Sequence, residues 1–324
     1  MAKSEWERRI GSRLKLRDLY ILSAAVEWGS MGKAASQLAM SQPAVSEAIA
    51  DLESTLGVRL LDRSPRGVKP TVFATALLRR GQVVFDELRQ GVRDIEFLAS
   101  PAAGEVRIGC PESLTAGFLP AVIDRLSRRY SQIVIYSTHV ESGNIEFHEL
   151  RERHIDLMLA RVSEPFLDNE LDAEILFRER YFVTAGAKSP WANRRKIELA
   201  ELADEPWIQM PAETSINAAL AEAFRAHGLD LPRKSVVSLS MNLRNHLLAT
   251  GRFLTVLSAS MLRFNAKAWS LKALPIDLHV PHRCVAVITL KGRTLSPVVK
   301  LFIDHARVVA KSLPPPSRQQ CTNR

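Results

Sequence analysis

Cysteine is scarce. The 324 residues hold three, Cys110, Cys284 and Cys321, far apart in the chain. None stands in a CxxC or zinc-ligand spacing, so neither a disulfide framework nor a structural zinc site is expected. Eight histidines scatter without ligand spacing, and no metal or cofactor is expected. No apolar run approaches the roughly 20 residues a membrane helix needs. The opening, MAKSEWERRIG, has no apolar stretch behind its charges, which argues against a signal peptide. A GxSxG elbow, a glycine-rich phosphate loop and an HExxH pair are all missing. We therefore expect a soluble, reduced, cytoplasmic chain with no membrane partner and no catalytic residues.

The length suggests two or three domains. A net charge of +9 suits an anionic partner, but Lys and Arg recur throughout, so a merely basic surface fits as well. The informative stretch is 29–63, GSMGKAASQLAMSQPAVSEAIADLESTLGVRLLDR. Two helical patterns, 31–39 and 42–56, meet there across a short connection. Ala34, Ala35 and Leu38 share one face of the first; Val45, Ile49, Leu52 and Leu56 share one face of the second. The small alanines allow a close crossing. Ser41 is placed to cap the second helix and, at its start, to stand among the DNA-binding residues, and Pro43 is tolerated in its first turn. This is a helix-turn-helix pattern, whose second helix lies in the DNA major groove with its first residues at base edges.

An amphipathic helix over 14–28, stopped by Gly29, precedes the pair, and Ser30 caps the next helix. Behind the pair, 58–61 and 68–71 read as the two strands of a wing. Arg63, Arg66 and Lys69 lie at or beside its tip, placed to neutralise phosphates, which positions a protein without reading sequence. Gln42 can pair two groups on adenine, and Ser46 points the same way one turn on. Pro43 offers an apolar contact to a thymine methyl.

The string is longer than a bare helix-turn-helix requires, and it resembles the LysR-type transcriptional regulator family. The matching residues are Ala34-Ala35, Ser41-Gln42-Pro43-Ala44-Val45-Ser46, Ile49, Leu52-Glu53, Leu56-Gly57, Leu60 and Arg63, within 14–72. The resemblance implies a winged helix-turn-helix domain over 14–72 that binds double-stranded DNA. There are two departures. Glu47 stands where many members carry Arg, and a carboxylate there cannot bind phosphate, though it can accept from a cytosine amine. Thr71-Val72-Phe73-Ala74 replaces the family's Thr-Glu-Ala-Gly at the entry to the next helix.

That helix, 73–100 with its exit, carries Leu77, Gly81, Val84, Leu88, Gly91, Ile95 and Leu98 at alternating spacings of four and three, a coiled-coil seam. Two glycines weaken it by about 1 kcal/mol each. The resemblance implies a linker pairing with its copy, in a homodimer or homotetramer. Ser100-Pro101-Ala102-Ala103-Gly104 marks a domain boundary.

Beyond it, strands over 105–109, 133–140 and 155–160 alternate with helices over 113–130 and 144–153. Further strands read at 173–185, 207–210, 234–239, 253–257, 271–275 and 283–290, with helices near 215–227, 242–250 and 296–311. The alternation predicts an α/β fold with parallel sheets flanked by helices. The resemblance implies a two-subdomain, periplasmic-binding-protein-like effector region over 104–313. Subdomain I would take 104–178 plus 282–313, and subdomain II 179–281, with a disordered tail over 314–324.

Ligands of such sheets bind beyond strand carboxyl ends, at helix N-termini. Glu112, Ser113, Ser142, Asn144, Thr214 and Ser215 sit there in the sequence, and Arg161 follows an apolar strand. The resemblance puts a small-molecule effector in the same cleft, with RNA polymerase as a downstream partner. Glu112, beside a helix N-terminus that favours negative charge by about 0.3–1 kcal/mol, makes the site less inviting to a second anion. A neutral, hydroxyl-rich effector such as a sugar is thus as plausible as an aromatic or organic acid. Two other readings stay open: an α/β hydrolase-like enzyme using Ser113 with His139 or His148, and a plain solute-binding protein.

Overall fold

The computed structural model describes residues 13–65, 67–140, 147–232 and 234–313. The chain folds as two compact units, 1–89 and 90–324.

The first unit opens with three helices, α1 (Leu16–Glu27), α2 (Met31–Gln37) and α3 (Gln42–Leu56). Both serines placed as caps act as caps. Ser30 Oγ accepts from Lys33 N at 3.5 Å and Ser41 Oγ from Ala44 N at 3.3 Å. Gly57, at φ 72°, takes the left-handed turn that ends α3. Leu22, Ala34, Val45, Ile49 and Leu60 form the centre of the core at 0% exposure. The wing is β1 (Leu61–Ser64) antiparallel to β2 (Gly67–Pro70), with Asp62 opposite Lys69 and Ser64 opposite Gly67.

The first wing strand therefore starts later than the expected 58–61. The reason is Glu53 on α3, whose Oε1 accepts from Leu60 N at 2.7 Å and Leu61 N at 3.2 Å. The carboxylate holds this approach in place of a ladder. Gly67 allows a second close approach. At φ +121° its missing Cβ would lie 2.3 Å from Gly29 O, and Val68 N donates to that same carbonyl at 3.0 Å. The wing is thus pinned to the turn that precedes α2.

Helix α4 (Val72–Ala99) follows, with Thr71 Oγ1 accepting from Ala74 N at 3.3 Å. Its expected seam divides in two. Leu77 packs on the core of the first unit, and Gly81 is buried because its missing Cβ leaves room for Leu19, whose Cδ2 lies 3.0 Å from where it would be. Val84, Leu88, Ile95 and Leu98 remain exposed, together with Val92. Gly81 thus serves packing against α1 and does not belong to an open seam.

The second unit holds two five-stranded sheets. The first runs in the order β4-β3-β5-β12-β6, built from β3 (Ala103–Cys110), β4 (Gln132–His139), β5 (Leu157–Val162), β6 (Leu171–Glu179) and β12 (Arg283–Leu290). The second runs β11-β7-β10-β8-β9, from β7 (Tyr181–Gly186), β8 (Trp207–Gln209), β9 (Lys234–Val237), β10 (Leu254–Ser258) and β11 (Leu271–Ala273). The expectation of parallel sheets needs correcting, because both are mixed. In the first sheet β3 is parallel to β4 and β5, whereas β12 is antiparallel to both β5 and β6. In the second, β10 is parallel to β8 and antiparallel to β7. The antiparallel strands are those that carry the chain across. Residues 173–185, expected as one strand, split at Arg180 into β6 and β7, which belong to different sheets. Arg180 Nη2 meets Asp277 Oδ2, on the returning segment, at 3.0 Å.

Period-two alternation explains how both faces of the first sheet are covered. Leu157 and Leu159 of β5 and Val285 and Val287 of β12 face one cluster, shared with α6 (Phe118–Ser127) and α11 (Pro297–Lys311). Met158, Ala160, Val162, Cys284, Ala286 and Ile288 face the other. The helix expected over 113–130 is instead α5 (Glu112–Thr115) followed by α6, broken at Gly117, where a Cβ would crowd Met261 Sδ at 3.3 Å. Of the helix expected over 144–153, residues 144–146 lie outside the described residues, and α7 spans His148–Arg151. The second sheet carries α8 (Ser215–Ala226), α9 (Met241–Ala249) and α10 (Ala259–Asn265). The sequence reading had missed α10, a short helix started by the Ser258 cap.

Candidate nucleic-acid interface and effector cleft

Helix α3 separates its two jobs by face. Val45, Ile49 and Leu52, at 0–1% exposure, hold it to α1 and α2. Gln42, Pro43 and Glu47 stand exposed on and after its first turn, and Ser46 is half-buried. Ser41 is exposed, but its hydroxyl is engaged as the cap. Gln42 and Ser46 line an open groove of about 560 Å³ with Lys33, Arg63, Ser64 and Gly67, so helix and wing share one concave surface. Lys33 is a cation that the sequence reading did not single out.

Arg63 ties wing to helix, with Nη1 donating to Ser46 Oγ at 3.4 Å and Nη2 3.7 Å from Glu53 Oε2. Its side chain keeps 47% exposure, which leaves it able to reach a phosphate. Lys69 is exposed on β2. Arg66 lies outside the described residues.

The cleft residues of the second unit are arranged in the opposite sense. Arg161, at 9% exposure, is held by three protein partners. Nε donates to Glu179 Oε1 at 2.7 Å, Nη1 to Ser113 Oγ at 2.6 Å and Nη2 to Ser258 Oγ at 3.1 Å. Glu179 Oε2 in turn accepts from Ser260 N at 3.1 Å. Arg161 was expected either to meet an effector anion or to make a structural ion pair; here it pairs with Glu179 and joins β5, α5, β6 and the cap of α10 in one network. Glu179, Ser258 and Ser260 were not singled out from sequence, because the partners lie up to 97 residues apart.

Thr214 caps α8, accepting from Asn217 N at 3.3 Å while donating to Pro211 O at 2.8 Å. Ser215 is the first residue of α8; its side chain lies outside the described residues, as do Ser142 and Asn144. Glu112 Oε1 accepts from Met241 N at 2.7 Å, bridging α5 to the start of α9. Behind Met241 lies Arg244, at 0% exposure. Burial lowers its guanidinium to about 10, against the opposing pull of Glu112, so it stays charged at neutral pH. Cys110, beside this region, is a buried thiol pushed up to about 11 by desolvation, which removes it as a ready nucleophile. The enzyme reading finds no support at Ser113, whose partner is a guanidinium donor that cannot take its proton. Among the described residues no group of three His, Cys, Asp or Glu could hold a metal, and no helix is long and apolar enough to cross a membrane.

A capped helix with an exposed first turn beside a wing, followed by a two-sheet α/β body whose subdomains are bridged by polar side chains, defines a DNA-binding regulator carrying a sensing domain. Known proteins agree. The family described as "Bacterial regulatory helix-turn-helix protein, lysR family" matches residues 16–75, and "LysR substrate binding domain" matches 99–311. The chain belongs to the LysR family of transcriptional regulators. It is 27% identical over 300 residues to the HTH-type transcriptional regulator GbpR of Azospirillum brasilense, covering 92% of this chain and 87% of that one. It is 26% identical over 264 residues to the transcriptional dual regulator GltC of Bacillus subtilis, covering 81% and 86%. Among solved structures, full-length OxyR from Pseudomonas aeruginosa superposes with a TM-score of 0.66 at 22% identity, covering 95% of this chain and 99% of that one. CbnR bound to its target DNA superposes at 0.52 and 20%, covering 92% and 100%.

Proposed function

We propose that this chain controls transcription by reading one DNA sequence through the first turn of α3, under the control of a small molecule held between the two subdomains of its second unit. The observation that carries this reading is the exposure of Gln42, Pro43 and Glu47 on a helix whose opposite face is wholly buried. Gln42 and Ser46 serve as base readers, with Glu47 facing a cytosine amine; Arg63, Lys69 and Arg66 hold phosphates. The exposed Val84, Leu88, Ile95 and Leu98 of α4 pair with a second copy, giving a homodimer or homotetramer that meets a site of approximate two-fold symmetry. Glu112, Ser113 and Thr214 border the effector. Its binding shifts the subdomains, with a coupling of about 1–3 kcal/mol passed to DNA and RNA polymerase.

A gel shift with DNA from beside the gene, at two salt concentrations, tests the reading. Selective binding that weakens as salt rises is expected; equal binding to unrelated DNA contradicts it. Ile95→Glu combined with Leu98→Glu should bring the sedimenting mass towards that of a monomer.

A further inference from the structure

The N-terminus of a helix leaves N–H groups that its own turns cannot satisfy, and their partial positive charge favours an anion. At α9 one of these, Met241 N, is taken by Glu112 Oε1 at 2.7 Å, from a residue 129 positions earlier in the chain. The cap Ser240 takes another, accepting from Leu243 N at 3.3 Å. Glu112 thus supplies from α5, beside the first sheet, an anion that α9, beside the second, would otherwise lack.

A buried cation stands behind this seat. Arg244 Nη2 donates to Thr255 Oγ1 and Val256 O, each at 2.8 Å. Among the described residues Nη1 finds only sulfur, Met210 Sδ at 3.1 Å and Met241 Sδ at 3.3 Å, and Nε is buried with no partner. Buried charges are ordinarily paired, yet no carboxylate lies within ion-pair distance of this one among the described residues. Its contact with Met241 Sδ puts the guanidinium against the residue whose N–H Glu112 takes, and Glu112 is the carboxylate whose charge it feels. The seat therefore combines a helix end whose first N–H is met by a carboxylate from another element with a cation short of a counter-charge, a pairing that selects a carboxylate over a neutral hydroxyl.

We propose that Glu112 is a tethered occupant of this anion seat, and that a carboxylate effector acts by taking the seat from it, breaking the α5–α9 bridge between the subdomains. This rests on the cleft being the effector site. It also inverts the expectation drawn from sequence: the charge on Glu112 marks where an effector anion goes. Because the tether keeps Glu112 at high effective concentration, a small free carboxylate does not displace it. An effector must add contacts elsewhere in the cleft, where Ser113 and Thr214 stand.

Truncation exposes the seat. Glu112→Ala removes a carboxymethyl group, and acetate replaces what is lost. With full-length protein at constant ionic strength, sodium acetate should raise the melting temperature of Glu112→Ala saturably, by about 3 °C or more at ten times its Kd. Wild type should not move, and acetamide should move neither. Acetate shifting both proteins alike, or neither, would overturn the proposal. Glu112→Gln keeps an acceptor for Met241 N but loses the charge, so it guards against misfolding. It should respond at an acetate concentration at least tenfold below any that moves wild type; an identical response would overturn the proposal too. Gel shifts on the same samples separate the two ideas. Selective DNA binding without an acetate effect rejects the seat alone. Acetate rescue that leaves DNA binding unchanged rejects effector control and keeps the seat.

Discussion

The start of α3 and the start of α5 hold polar groups in opposite ways. Gln42, Pro43 and Glu47 stand exposed on a frame buried on its other side. Glu112, Ser113 and Arg161 are already bonded to the protein, across elements far apart in sequence. A DNA reader can leave its donors and acceptors to water, because exposed groups lose little by waiting for a partner. A buried switch cannot, because an unmet polar group inside a protein is costly. In the proposed reading it fills its own site until a ligand replaces the filler.

That contrast breaks first at Arg161. Arg161→Ala leaves the Glu179 carboxylate buried without its cation and should cost about 3–5 kcal/mol of stability, measured by denaturant unfolding of the second unit's transition. A loss below about 1 kcal/mol, the range of exposed pairs, would mean that the network is no tighter than a surface bridge. Gln42→Ala probes the other pole. It should cost about 1–3 kcal/mol of discrimination at one base pair per half-site while leaving stability within about 0.5 kcal/mol, read by competition binding and thermal melting. Ser41→Ala lies between the two: removing the cap should cost about 0.5–2 kcal/mol, seen as a lower melting temperature of the first unit with base preference retained. Lys69→Ala is the mildest. All DNA sequences should weaken alike, and the slope of log affinity against log salt should fall by about 0.9 for each DNA-bound subunit.

The first unit was largely legible from sequence because its signals are local. The caps at Ser30 and Ser41, the left-handed Gly57 and the apolar spacing of α3 each lie within a few residues of what they act on. Even there a side chain acting across seven residues was missed: Glu53 delays the wing strand. The second unit yielded its element order but not its sheet directions. Strand direction depends on where the chain crosses between sheets: the break at Arg180 falls in the charged run Arg178-Glu179-Arg180, at the expected passage between subdomains, although the apolar residues on both sides read as one strand. The cleft was least legible. Arg244 on α9 carries no local signal in the sequence, and only the fold buries it against Met210 and Thr255. Gly81 shows the same in reverse, since its place in a heptad pattern concealed a contact with Leu19.

Selection of DNA from a random pool, run in parallel with wild type and Gln42→Ala, tests the central claim most directly. Wild type should enrich one motif of approximate two-fold symmetry, and the variant should lose preference at one symmetry-related pair of positions within it. No enrichment by wild type, or an unchanged motif with Gln42→Ala, would contradict α3 as the element that reads DNA.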